Sequence, residues 1–295
     1  MKKLMIGLAA AGLCGAVFAD VSSANVVGYA TKAQAKASLT SPTGIITFQW
    51  DKTDGSQKYL NDVIKPSVMG TAFNHGEEEE ATPGWTDNAP YIQVREASGG
   101  YARRWYADDA WDDDKEESVP GWADDEGVLD VETTIALGQG AWVQDAAEDC
   151  VFTVCGAVAT KETAVGGDSS GATILAGGAF PVAFMLNGEN VTWTCTPGTA
   201  FNHGVEEEAT DGWTDNAPYI QVREVSGGYA RRWYADDAWD EDKEESVQGW
   251  ADDEGILDVE TTVAVGGGFW MMTPIKDAET GKQNIFVTVA NPIKK

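Results

Sequence analysis

The chain has 295 residues, with 48 Asp and Glu against 20 Lys and Arg, giving a formal charge of −28. Such a surface repels nucleic acid and anionic lipid and draws cations, so nucleic-acid binding is not expected. Twelve Trp, eight Tyr and nine Phe supply enough apolar area for a packed core, which excludes a disordered polyanion.

In chain order, residues 1–19 read as a secretory signal peptide: Lys2 and Lys3, an apolar run from Leu4 to Phe18, and small residues at Val17 and Ala19 before Asp20. Export is the expectation, to the periplasm, the cell surface or the medium. Leu13 stands before Cys14 where lipidation needs a small residue, so a lipid anchor is set aside. Later stretches fall short of the roughly 20 apolar residues of a spanning helix, and no membrane insertion is expected. "NVVGYATK" and "GIITFQW" then read as strands, and "QKYLNDVIKP" as one helical turn. "YIQVRE" and "YARRWYA" form a hairpin signal, with Ile92 and Val94 on one face and Ser98-Gly99-Gly100 as the turn. "VETTIAL", "GAWVQ" and "VFTV" follow as short strands rich in β-branched and aromatic residues. The expected class is all-β, in two tandem sandwich or barrel-like domains of about seven strands each.

Repetition sets the boundaries. Segment 70–144 recurs at 198–272 with 63 of 75 positions identical. "NVVGYATK", "VCGAVATK" and "VTVANPIKK" look like a recurring boundary strand, placing the domains at 20–158 and 159–295, joined through "AVGGDSSGA". A second echo, 37 residues apart, aligns Glu80, Glu117, Glu208 and Glu245, then Trp85, Trp122, Trp213 and Trp250, then Asp87, Asp124, Asp215 and Asp252. The Gly before each Trp is constant, while the residue before that Gly is Pro83, Pro120, Asp211 or Gln248. This reads as one corner used four times, with Gly at positive φ, Trp as anchor and the acids in water. The acidic stretch from Asp108 to Trp122 does not alternate and reads as a long solvated loop.

Crowded carboxylates suit Ca²⁺, although the spacing is not that of an EF-hand. The candidate ligands are Glu117, Asp124 and Asp125, with Asp87 nearby, and the copies Glu245, Asp252 and Asp253. Trp111 and Trp239, ringed by acids, are the candidate ligand-binding aromatics, and the ligand that suits them is a glycan. Trp142 reads as core. Arg95, Arg103, Arg104 and their copies Arg223, Arg231 and Arg232 read as partners of carboxylates across the hairpin. His75 and His203 sit in identical "AFNHG" loops without a nucleophile motif or a second His, and read as polar turn residues; no catalytic residue is assigned and no enzyme is expected. Of Cys150, Cys155 and Cys195, the first two point to opposite faces of one strand; either one meets Cys195, or all three are apolar fillers.

"SSANVVGY" after the leader, "IKPS", and an acidic Gly-Trp segment leading to "GQGAWV" and "VFTVCGAV" resemble a set of exported bacterial proteins with tandem β repeats. The resemblance implies export and repetition, carries no activity, and transfers no site residue. The second repeat has "TCTP" in place of "IKPS". The expectation is a secreted, acidic, non-catalytic surface, matrix or binding component. The alternatives are a pair of carbohydrate-binding modules or a calcium-stabilised structural protein. A glycan or another surface protein is the expected partner, with self-association through "NVVGY" on a neighbour's sheet edge as a further option.

Overall fold

The computed structural model describes residues 27–34, 43–51, 58–73, 80–96, 100–144, 150–159, 161–168, 173–201, 208–223, 228–273 and 284–292. The expected signal peptide, residues 1–19, and both histidines lie outside these residues. The first half contains β1 (Val27–Gln34), β2 (Thr43–Thr47), β3 (Trp50–Asp51), α1 (Leu60–Val63), β4 (Ile64–Pro66) and β5 (Tyr91–Arg95). It continues with β6 (Tyr101–Asp112), β7 (Glu117–Ala123), β8 (Gly140–Gln144) and β9 (Cys150–Val158). The second half contains β10 (Ala164–Asp168), β11 (Ile174–Ala176), β12 (Phe184–Met185), β13 (Val191–Thr194) and β14 (Tyr219–Arg223). It closes with β15 (Tyr229–Asp240), β16 (Glu245–Ala251), β17 (Thr262–Val263), β18 (Phe269–Met272) and β19 (Asn284–Val289).

The chain is all-β, and its two halves pair strands in the same way. A five-stranded antiparallel sheet runs β2-β8-β5-β6-β7 in one half and β11-β18-β14-β15-β16 in the other. In the first half β9 lies between β1 on one edge and β3 and β4 on the other; β19 lies between β10 and β13. Period-two alternation decides what these sheets bury. Ile92, Val94, Tyr106, Trp122 and Val143 face Phe152 and Val154 of β9 in one core, closed by Leu60 and Ile64. In the other, Ile220, Val222, Trp250, Phe269 and Met271 face Ile285, Val287 and Val289, closed by Phe180 and Leu186. Two face-to-face sheets around each core make a sandwich.

The halves agree where their sequences differ. Ile64 pairs with Val154 and Val191 with Val289, so "VTWTCTP" occupies the place of "IKPS". The described part of the boundary segment, from Val27 on, is engaged within its own chain: β1 lies antiparallel on β9, with Val27 opposite Ala157 and Gln34 opposite Cys150.

Three expectations need correction. "VETTIAL" is not a strand: between β7 and β8 it makes only an isolated bridge from Thr134 to Tyr59. The acidic stretch is a hairpin: β6 runs to Asp112, a short turn follows, and β7 returns from Glu117, with Asp112 opposite Glu117. A β-bulge hid it, because Ala107 pairs with Gly121 while Ala110 pairs with Val119. The extra residue on β6 breaks the alternation. Trp142, in turn, is only half-buried. Ala141 and Val143 take the inward positions of β8, so parity turns Trp142 to the outer face, where it meets its own copy Trp270 edge-on at 6.2 Å.

That contact belongs to a junction between equivalent parts of the halves. The Gly177 amide donates to the Gly138 carbonyl (3.1 Å), and the Thr47 amide donates to the Gly266 carbonyl (3.2 Å). Ile45 and Leu175, outward on their own sheets by register with Trp142 and Trp270, are nevertheless buried.

Candidate functional site

Each five-stranded sheet carries a second, smaller apolar cluster on its outer face. Trp85, in a single 3-10 turn, lies over Ala72, Ala89, Ala107, Ala110 and Ala123, and Trp213 repeats the arrangement over the matching alanines. The small side chains leave room for the indole. Its Nε1 donates to the Asp125 carbonyl (3.0 Å), as that of Trp213 does to Asp253. The part of Asp125 that this fold uses is therefore its main chain.

The four Gly-Trp copies consequently have two structures. Gly84 has φ +80° and starts the turn holding Trp85. Gly121 lies inside β7, before the fully buried Trp122, and a Cβ there would stand 2.3 Å from Leu129 Cδ1 and 3.0 Å from Asn61 Oδ1. Glycine turns the chain at the first position; at the second it admits close neighbours.

One of those neighbours was not singled out from sequence. The Trp122 amide donates to Asn61 Oδ1 (2.6 Å), while Asn61 Nδ2 donates to the carbonyls of Trp122 (3.4 Å) and Asp130 (2.6 Å). Asn187 makes the same three bonds to Trp250 and Asp258. The amide thus stands in for a strand along this edge of β7 and β16. The only signal was "LN" in "YLNDV" and "MLNGE", too short to register as a repeat.

At the acidic end, a concavity of about 320 Å³ is lined by Arg104, Asp112, Asp113, Asp114, Asp124 and Asp130, with residues 128–129 and 131–132. Of the proposed calcium ligands in this half, Asp124 is on its wall and Glu117 and Asp125 are not. Asp124 Oδ1 accepts the amides of Glu126 (3.0 Å) and Val128 (2.9 Å), and Asp252 does the same for Glu254 and Ile256. Asp112 accepts the amides of Asp114 and Lys115 together with Lys115 Nζ. The Lys115 ammonium holds the Asp112 carboxyl below its usual range. Burial pushes Asp130 up, but the Thr133 hydroxyl and amide and the Arg104 guanidinium outweigh it and hold that carboxyl low; Asp258 follows the same pattern. Among the described residues, no three His, Cys, Asp or Glu side chains converge as a metal site.

The arginines divide by parity. Arg104 and Arg232 ion-pair with Asp130 and Asp258, which lie in the segment after β7 or β16, not across the hairpin. Arg103 and Arg231 point outward, each over a tyrosine of the neighbouring strand, Tyr91 at 5.5 Å and Tyr219 at 5.4 Å. Trp111 and Trp239 are exposed, at 37% and 36%, near the ends of β6 and β15, and Trp111 is off the walls of the concavity. Cys150 and Cys195 are not joined by a disulfide, and burial pushes the Cys195 thiol up to about 12. Compared with known proteins, the chain matches no family model, no curated protein and no solved structure.

Proposed function

We propose that this is an exported, non-catalytic binding and scaffold component of a surface or matrix, in which two near-identical β units present one surface twice. The observation that supports it is the use made of the carboxylates. Asp109, Asp112, Asp124 and Asp130 each hold main-chain amides in place, as do Asp237, Asp240, Asp252 and Asp258. Acids bound in this way brace loops and are poorly placed to carry protons to a substrate. The carbohydrate-binding alternative is favoured by a separate observation, the half-exposed aromatic and amide side chains on the outer sheet faces. The test is retention without turnover. Purified chain is incubated with insoluble envelope polysaccharide, and both pelleted protein and newly released reducing ends are measured. Retention with a flat reducing-end signal is the expected result, whereas steady release of reducing ends would overturn the non-catalytic reading.

A further inference from the structure

The outer faces of the two large sheets each carry a row of side chains, and the two rows meet at the junction between the halves. On β5 the inward positions are Ile92 and Val94, which leaves Gln93 outward. Register places Gln93 opposite Trp142 of β8 on one side and Arg103 of β6 on the other. Gln221 stands in the same way between Trp270 and Arg231. Since Trp142 and Trp270 touch, the two rows join into Arg103–Gln93–Trp142–Trp270–Gln221–Arg231. Three neighbouring strands span about 10 Å, so each half-row matches the reach of a disaccharide. Gln93, Trp142 and their copies are half-exposed, while Arg103 and Arg231 are exposed.

Charge selects the occupant. The chain has 48 acidic residues. Even so, among the described residues no carboxylate forms an ion pair with Arg103 or Arg231; a tyrosine ring holds each guanidinium. A planar guanidinium fixed in this way is a ready bidentate partner for a carboxylate. Indole edges and side-chain amides between two such groups suit the apolar C–H faces and hydroxyls of sugar rings. We propose that this row is a binding site for an extended carboxylated polysaccharide, a uronic-acid polymer, lying across both halves; this rests on the binding role proposed above. The negative charge of the rest of the chain opposes approach. The Debye length shrinks from about 30 Å at 0.01 M salt to about 10 Å at 0.1 M, so moderate salt removes the long-range repulsion and leaves the contact pairs. Simultaneous engagement of both half-rows adds avidity without new contacts.

The experiment is affinity electrophoresis of the full chain through polygalacturonate, its carboxyl-reduced derivative and polyglutamate, at about 0.1 M salt, where long-range repulsion is screened. Retardation on polygalacturonate alone is the expected result, with affinity falling about tenfold or more in the Arg103→Gln/Arg231→Gln variant, as loss of charge-assisted contacts implies. Trp111→Ala/Trp239→Ala, off the row, keeps wild-type retardation. Equal retardation on the carboxyl-reduced polymer removes the charge argument, and equal retardation on polyglutamate removes the sugar. An unaltered Arg103→Gln/Arg231→Gln variant, or no retardation of the wild type, overturns the site. Retention on envelope material that survives any of these failures leaves the broader binding role standing.

Discussion

Asn61→Ala removes three hydrogen bonds that tie α1 to β7 and to the segment after it. The Trp122 amide loses its acceptor at 2.6 Å beside a fully buried indole, and the Asp130 carbonyl loses a donor, while the Trp122 carbonyl keeps the Asp130 amide at 2.8 Å. Leaving a buried donor unsatisfied costs about 1–3 kcal/mol, and carbonyls that recover part of their loss from water add less, so the total is about 2–4 kcal/mol. Urea unfolding followed by tryptophan fluorescence measures it. With a slope near 2 kcal/mol/M, the midpoint falls by about 1–2 M at unchanged slope. Asn187→Ala is an internal replicate, because its three bonds are 2.8, 2.9 and 2.7 Å long. A loss below about 1 kcal/mol in both variants would mean that water replaces these bonds, and the reasoning would fail.

Asp130 and Asp258 have native pKa values below their unfolded ones. Their stabilisation is therefore complete above the ordinary carboxylate range, near 4, and is lost as pH falls through the lowered native values. Melting temperature against pH should fall less steeply at the acid end in Asp130→Asn/Asp258→Asn than in wild type; parallel curves would remove the contribution. Trp85→Ala empties the outer cluster and should cost about 3–5 kcal/mol by chemical denaturation, while exposed Trp111→Ala stays within about 0.5 kcal/mol. Gly121→Ala forces a Cβ to within 2.3 Å of Leu129 Cδ1, and Gly84→Ala strains a φ of +80°. Leu129→Ala should therefore rescue the first and leave the second unchanged in thermal melts; rescue of both or of neither contradicts the distinction. With Asp124 and Asp252 already accepting main-chain amides, melting curves in Ca²⁺ and in chelator should superimpose. An upward shift of several degrees in Ca²⁺ would support the cation reading instead.

The strand pattern was legible because its signal is local. Alternation in "YIQVRE" puts Ile92 and Val94 in the core, and Tyr91, Gln93 and Arg95 follow on the other face by parity alone. The same parity argument places Trp142 outward, although an aromatic in an apolar strand invites assignment to the core. What could not be read was whatever depends on a single extra residue or on a distant partner. The bulge between Ala107 and Ala110 disguised the end of β6 as a loop, and Asn61 meets Trp122 across 61 residues with no spacing rule to announce it. Among the proposed calcium ligands, Asp124 and Asp252 accept amides of their own turns, which residue type alone does not announce. Carboxylates that cap their own turns look, in sequence, like carboxylates that wait for an ion.

The 37-residue echo shows how far a letter pattern can stand for a physical one. Between Gly84-Trp85 and Gly121-Trp122 the letters agree, but one pair sits in a left-handed turn that places an indole on the outside of the sheet. The other lies in an extended strand that sends its indole through to the core, where Nε1 donates to the Ile64 carbonyl at 2.9 Å. Only the turn demands positive φ, and only the strand demands a missing Cβ beside Asn61 and Leu129. Proline is replaceable before both glycines for separate reasons. Position 83 lies in an exposed turn, filled by Asp211 in the copy. Position 120 is an exposed residue on the outermost strand of its sheet, filled by Gln248 in the copy, where a missing amide interrupts no ladder. The two indoles together clamp the sheet of each half from opposite faces, Trp122 from the core side and Trp85 from the solvent side. The strip that remains on the outer face, from the exposed Arg103 through Gln93 to Trp142 at the junction with Trp270, is the part of that face the Trp85 turn does not cover.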